Sequence, residues 1–189
     1  MSELLKIVIS LILSAGLVFN NLSVDDQITV LKPFIYMLTV DDRRESKLVI
    51  EKAEGQFFDH NTVFEKSAAI LNGLHDITIM LDPRDAGRRK VRNSMELSDG
   101  RILYVAANRE LSKEIMDFTI APEVTDVFSK TDVIEITIDS AYIIYWWEIP
   151  GPFSSGGIIY LINHDQLESW YIVRRNLSEN WVSFFYRSL

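Results

Sequence analysis

All four tryptophans of the chain lie between Tyr142 and Leu189, together with five of its seven tyrosines. They come in runs with β-branched residues: Tyr142-Ile143-Ile144-Tyr145-Trp146-Trp147, Gly156-Gly157-Ile158-Ile159-Tyr160-Leu161-Ile162, Trp170-Tyr171-Ile172-Val173 and Trp181-Val182-Ser183-Phe184-Phe185-Tyr186. Such runs, split by turn residues, favour antiparallel strands, because bulky and branched side chains pack well on a pleated surface. Further strands are expected at Ile77–Leu81 and at Val133–Ile138, the latter turning at Asp139-Ser140 into Ala141–Trp147. Met95-Glu96-Leu97 and Arg101–Val105 flank Ser98-Asp99-Gly100, and Asp-Gly is a strong hairpin turn because it tolerates positive φ.

Ahead of these strands the spacing is helical. Leu4, Leu5, Ile7, Val8, Leu11, Ile12 and Ala15 repeat at three and four residues. Ser23-Val24-Asp25-Asp26 caps a second helix that Pro33 interrupts. Thr39-Val40-Asp41-Asp42 opens a charged helix through Glu54, with Gly55 as its stop, and Asn61 or Thr62 opens another that Gly73 closes. Glu110–Phe118 reads as a short helix. The order predicts one α+β domain over 1–189, in which an N-terminal helical layer (1–74) packs on a curved, mainly antiparallel β-sheet (75–189).

With no cysteine, the chain has no disulfide framework and no Cys-ligated metal site. The net charge of −8 argues against a nucleic-acid partner, since phosphate backbones demand an excess of Lys and Arg. It suits solubility, and it can also steer a basic partner. Leu4–Phe19 resembles the apolar region of a signal peptide. However, its leader Met1-Ser2-Glu3 is acidic, Lys6 sits inside it, no A-x-A site follows, and it is short for a membrane span. The expectation is a buried first helix in a cytoplasmic protein that does not enter a membrane.

Candidate chemistry is sparse. The loop Pro150–Gly157 lacks the Gly-Lys-Ser/Thr that a phosphate loop needs and runs into a strand, so it reads as a flexible hairpin connection. His60, His75 and His164 each adjoin an aspartate (Asp59, Asp76, Asp165). Neighbours in sequence seldom point the same way, so solvated turn residues are the expectation. Glu135, Asp139 and Glu148 pair as carboxylates only if their strands bring them together; otherwise they are surface charges. Arg84, Arg88, Arg89, Lys90 and Arg92 form the one basic cluster, read as a solvated loop tip or a dock for an acidic patch. No metal or cofactor is called for.

Trp146-Trp147 and Phe184-Phe185 are adjacent pairs, and neighbours in a strand face opposite sides of the sheet. Either both faces are covered, or one presents aromatic rings to a partner or a pocket. Tyr and Trp dominate protein interfaces, so Tyr145, Trp146 and Trp147 are the candidate anchors, with Glu148 and Asp165 as acids on the rim.

The segment Trp147-Glu148-Ile149-Pro150-Gly151, Gly156–Ile162 and Trp170–Val173 resembles the end of small bacterial NTF2-like immunity proteins. These show a Trp-bearing strand, a loop, a Gly-Gly strand start and a hairpin. The chain departs from them at Asn163-His164-Asp165-Gln166-Leu167-Glu168, where the family usually has a short turn ending in Gly. The resemblance implies a cone-shaped α+β fold and a non-enzymatic protein that neutralises a toxin by binding it. A basic toxin domain as partner fits the acidic charge, and the basic cluster leaves a second copy in a homodimer as another expected partner. A small-molecule-binding or catalytic α+β domain and a phage or secretion-system structural protein are the alternatives.

If Leu4–Ala15 is a buried element, removing residues 1–16 takes away several Leu and Ile side chains worth roughly 1.5–3 kcal/mol each, more than the usual margin of stability. Expression of the truncated chain is expected to give an insoluble or unfolded product. A soluble product with unchanged thermal unfolding would make the segment a removable leader or a peripheral anchor.

Overall fold

Period-two patterning becomes an eight-stranded sheet, every pairing of which is antiparallel. The computed structural model describes residues 42–83, 89–147, 154–163 and 171–187. The first helix, the Ser23–Asp26 cap and the Pro33 kink lie outside the described residues. The strands are β1 (Ile77–Met80), β2 (Lys90–Glu96), β3 (Ile102–Ala107), β4 (Val133–Ile138), β5 (Tyr142–Trp147), β6 (Ser154–Leu161), β7 (Tyr171–Asn176) and β8 (Trp181–Arg187). Their order across the open sheet is β2-β3-β1-β4-β5-β6-β8-β7, which puts β2 and β7 at the edges. The Asp99-Gly100 turn joins β2 to β3 as expected, with Gly100 at φ 84°.

Four helices are described: α1 (Asp42–Asp59), α2 (Asn61–Leu71), α3 (Lys113–Thr119) and α4 (Pro122–Lys130). α1 lies against β5, β6 and β8, α4 packs on β4, and α2 packs on α1 and α4. The expected α+β architecture is therefore present: α1 and α2 precede the sheet, α3 and α4 fall between β3 and β4, and α1 and α4 pack on it. Gly73 closes α2 from a left-handed conformation (φ 93°), as expected. Two expectations need correction. Gly55 does not stop α1, which continues to Asp59. A glycine inside a helix costs about 1 kcal/mol, and burial of Phe57 in the following turn outweighs that. Similarly, Ser154–Gly157 is not a flexible connection, because all four residues pair with β8 and the glycines also pair with β5.

The core between helices and sheet is aromatic. Phe57 and Phe64 from the helices meet Tyr145, Trp147 and Trp181 from the sheet, with ring centroids 5.0–6.0 Å apart. Tilted and edge-to-face pairs at these distances add to the burial of the rings. Aliphatic residues extend this core along β1, β3 and β4 through Ile79, Val105 and Ile136. The opposite sheet face is also buried at Tyr142, Ile144, Ile159 and Phe184. Trp146 and Trp147 thus divide between the two faces, as strand alternation requires.

Two glycines set how closely these layers approach. A Cβ on Gly156 would sit 2.7 Å from the carbonyl oxygen of Phe184 and 3.1 Å from the Cδ1 of Ile50 on α1. A Cβ on Gly157 would overlap the carbonyl oxygen of Tyr145, a backbone atom that cannot swing aside. Around Gly55 there is open space. Gly55→Ala is accordingly expected to stabilise the protein by about 0.5–1 kcal/mol, and Gly157→Ala to destabilise it by about 3 kcal/mol. Urea unfolding measures both, and a neutral Gly157→Ala would contradict the close approach.

Candidate functional site

Helix α1 meets its surroundings along three separate faces, because its residues rotate about 100° each. Ile50, Ala53 and Phe57 share the buried face over the sheet. Lys47, Glu51, Glu54 and Phe58 follow one another at three- and four-residue spacing along one flank, toward β7. Val49, Lys52 and Gln56 form the other flank, toward β4 and the end of β5.

On the β7 flank, Glu54 is a buried carboxylate. The hydroxyl of Ser183 donates to it at 2.6 Å, and Arg174 and Arg175 approach it at 3.8 and 3.7 Å. A buried charge is tolerable only with such partners. Arg174 also donates to Glu51 at 3.2 Å and to the carbonyl of Lys47, while the guanidinium of Arg175 lies 5.8 Å from the ring centroid of Phe58. Both arginines thus reach from β7 to side chains of α1. The β7 register shifts between Val173 and Arg175, making Arg174 a bulge residue. Four large apolar side chains stay exposed on these two elements: Leu48 (58%), Phe58 (51%), Ile172 (47%) and Val173 (42%).

On the other flank is an open cleft of about 270 Å³, lined by Val49, Lys52, Arg101, Asp132, Val133, Ile134 and Trp147. Gln56 ties its walls together. Its carbonyl oxygen accepts from the indole N–H of Trp147 at 2.8 Å and from the backbone N–H of Asp132 at 3.0 Å, and its amide donates to Asp132 at 2.6 Å. Lys52 bridges the same carboxylate oxygen at 2.7 Å. The Lys52 and Gln56 hydrogen bonds hold the Asp132 carboxyl below its ordinary value. Arg101 reaches in from the β2–β3 hairpin, held by Asp99 and by the carbonyl of Phe128 at 2.7 Å. The bulge of β4 between Val133 and Glu135 places Ile134 at the cleft.

The expected anchors are placed differently from the expectation. Tyr145 is wholly buried; its hydroxyl bonds Ser67 at 3.2 Å, and burial pushes the phenol well above its usual range. Trp147 is a core residue with only its edge at the cleft, and Trp146 stacks edge-on against Phe184 at 5.2 Å and donates to Thr137. Three consecutive residues cannot all face outward from a strand covered on both faces. Glu148, Asp165, His164, Arg84 and Arg88 lie outside the described residues. The other basic residues separate: Lys90 and Arg92 are in β2, where Arg92 pairs with Glu110. Glu135 and Asp139 do not meet, for Glu135 accepts from Thr137 and Asp139 caps the β4–β5 turn. His75 does bond its neighbour Asp76 at 3.0 Å, against expectation, because Asp76 takes a left-handed backbone (φ 57°). Among the described residues no three His, Asp or Glu side chains gather as metal ligands, and no helix is long and apolar enough to cross a membrane.

The exposed phenylalanine and the Gln56 bridge were missed from sequence. The Glu51–Glu54 pair at i, i+3 and the Lys52–Gln56 pair at i, i+4 on α1 were the available signal.

Asp132 supplies a pH test. Its carboxyl is held below the ordinary 3.8, so the stability it contributes is fully present above that pH and is lost as pH falls toward the folded value. The stability gap between the natural protein and Asp132→Asn, at most about 1 kcal/mol for so exposed a pair, is expected to be constant above about pH 5 and to close in acid. Urea unfolding across that range would show a pH-independent gap if the Lys52–Asp132 pair contributed nothing.

Comparison of the chain with protein-family models, with curated proteins and with solved structures found no match in any of the three.

Proposed function

We propose that this chain is a non-enzymatic bacterial binding protein of the immunity or inhibitor type, which neutralises a basic toxin domain by direct contact through the α1–β7 surface. The observation that carries the reading is the exposure of Phe58 and Ile172 beside an ordered ionic lattice. Leaving large apolar side chains in water on neighbouring elements is a common mark of an interaction surface. Here Glu51, Glu54, Arg174 and Arg175 hold that surface rigid before any partner arrives, which lowers the entropy cost of binding. The net charge of −8 would attract a basic domain and discourage self-association. The resemblance of the Trp147–Val173 region to NTF2-like immunity proteins supplies the type, and a cytoplasmic site of action accords with it.

Phe58 makes a ring contact with Phe57 and receives Arg175, yet half of it faces solvent, so Phe58→Asp and Ile172→Asp should fold. Each product of a neighbouring gene, purified and titrated against the chain, is the test. One of them is expected to bind tightly, and each substitution to weaken it at least tenfold, about 1.4 kcal/mol. Undiminished binding by both variants would remove the α1–β7 surface from the interface. Failure of every neighbouring product to bind would remove the immunity reading.

A further inference from the structure

The cleft on the opposite flank of α1 does not depend on that reading. Its charges balance, since Lys52 is matched by Asp132 and Arg101 by Asp99. A ligand with a net charge therefore gains little there. These side chains are 41–58% exposed, so what the cleft offers is hydrogen-bonding capacity of both kinds that a ligand takes over from water. Lys52 and Gln56 both approach Oδ2 of Asp132, and among the described residues Oδ1 has no partner. Arg101 uses Nε and Nη2 toward Asp99 and Phe128, and Nη1 has no partner among the described residues. Lys52 keeps ammonium protons beyond the one directed at Asp132. The rest of the lining is apolar: Val49, Val133, Ile134 and the edge of Trp147.

From these we infer that the cleft binds a small zwitterion with an apolar side chain, of the free α-amino-acid class. Its carboxylate meets Nη1 of Arg101 and the ammonium of Lys52. Its own ammonium meets Oδ1 of Asp132. Its side chain lies along Val49, Val133 and the Trp147 edge. The open cleft of about 270 Å³ has room for one such molecule. The site is pre-formed, for Gln56 fixes Asp132 and Trp147 together, and the Ile134 bulge is the kind of strand irregularity that sets side chains at binding sites. Because the cleft is open and its charged groups are partly solvated, binding is weak.

Isothermal titration of the full chain with three probes tests this: leucine, 4-methylpentanoate, which lacks the ammonium, and 3-methylbutylamine, which lacks the carboxylate. Leucine is expected to bind at least tenfold more tightly than either analogue. Arg101→Met should remove most of that advantage over the amine, and Asp132→Asn most of the advantage over the carboxylate. Equal binding of all three probes, or no binding of leucine up to its solubility, would overturn the inference. The comparison among probes uses the natural protein alone, so it stands even where a variant fails to fold.

Discussion

Helix α1 lies where it does because β6 has no side chain beneath it at Gly156. With the Cδ1 of Ile50 only 3.1 Å from where a Cβ would stand, any larger residue would lift the helix or displace the Phe184 backbone. Raising α1 would separate Phe57 from Trp181, whose rings are 5.0 Å apart, and would part Glu54 from Ser183. Both flanks depend on the same height, because Gln56 reaches Trp147 and Arg174 reaches Glu51 only when the helix sits low. A single close contact thus fixes the core, the β7 flank and the cleft together.

The aromatic core contributes more than apolar area. Each described tryptophan has a partner for its N–H: Trp146 donates to Thr137, Trp147 to Gln56 and Trp181 to Glu65. Tyr145 donates to Ser67. An unpartnered buried donor costs about 1–3 kcal/mol, so these bonds specify one orientation for each ring and leave the alternatives penalised. In this way the same residues that make the sheet sticky in sequence become fixed internal struts.

Much of this fold could be read from the chain. The strands were legible because aromatic and β-branched runs have no good alternative to a pleated sheet, and the Asp99-Gly100 turn because few dipeptides accept positive φ as readily. Helix α4 was missed although Pro122 at its first turn, Glu123 and the Val124, Val127, Phe128 spacing announce it; nine residues give periodicity little length in which to show. Gly55 misled because local propensity favours a stop there, while the burial that overrides it comes from the distant strands β6 and β8. The candidate sites were the least legible. Sequence showed which side chains are aromatic, but which of them face water depends on what covers each face of the sheet. The Gln56–Asp132 bond spans 76 positions, and no local pattern announces it.

The two edges of the sheet narrow how a partner can bind. An unpaired edge invites an added strand, and proteins commonly blunt edges with bulges and charges. Here both described edge strands carry a bulge whose extra residue is an arginine. The β2 register shifts around Arg92, which turns to Glu110, and the β7 register shifts around Arg174, which turns to Glu51 and Glu54. A bulge breaks the regular spacing of N–H and C=O groups and sharpens the local twist, so neither edge offers a long straight template. Strand addition is therefore the poorer route to a complex. A partner that recognises this side of the molecule would do so through side chains, with Phe58 and Ile172 as the apolar contacts and Arg175, still largely exposed, as the charge beside them. The bulged, charged edges resist the edge-to-edge association that an unguarded aromatic sheet would undergo.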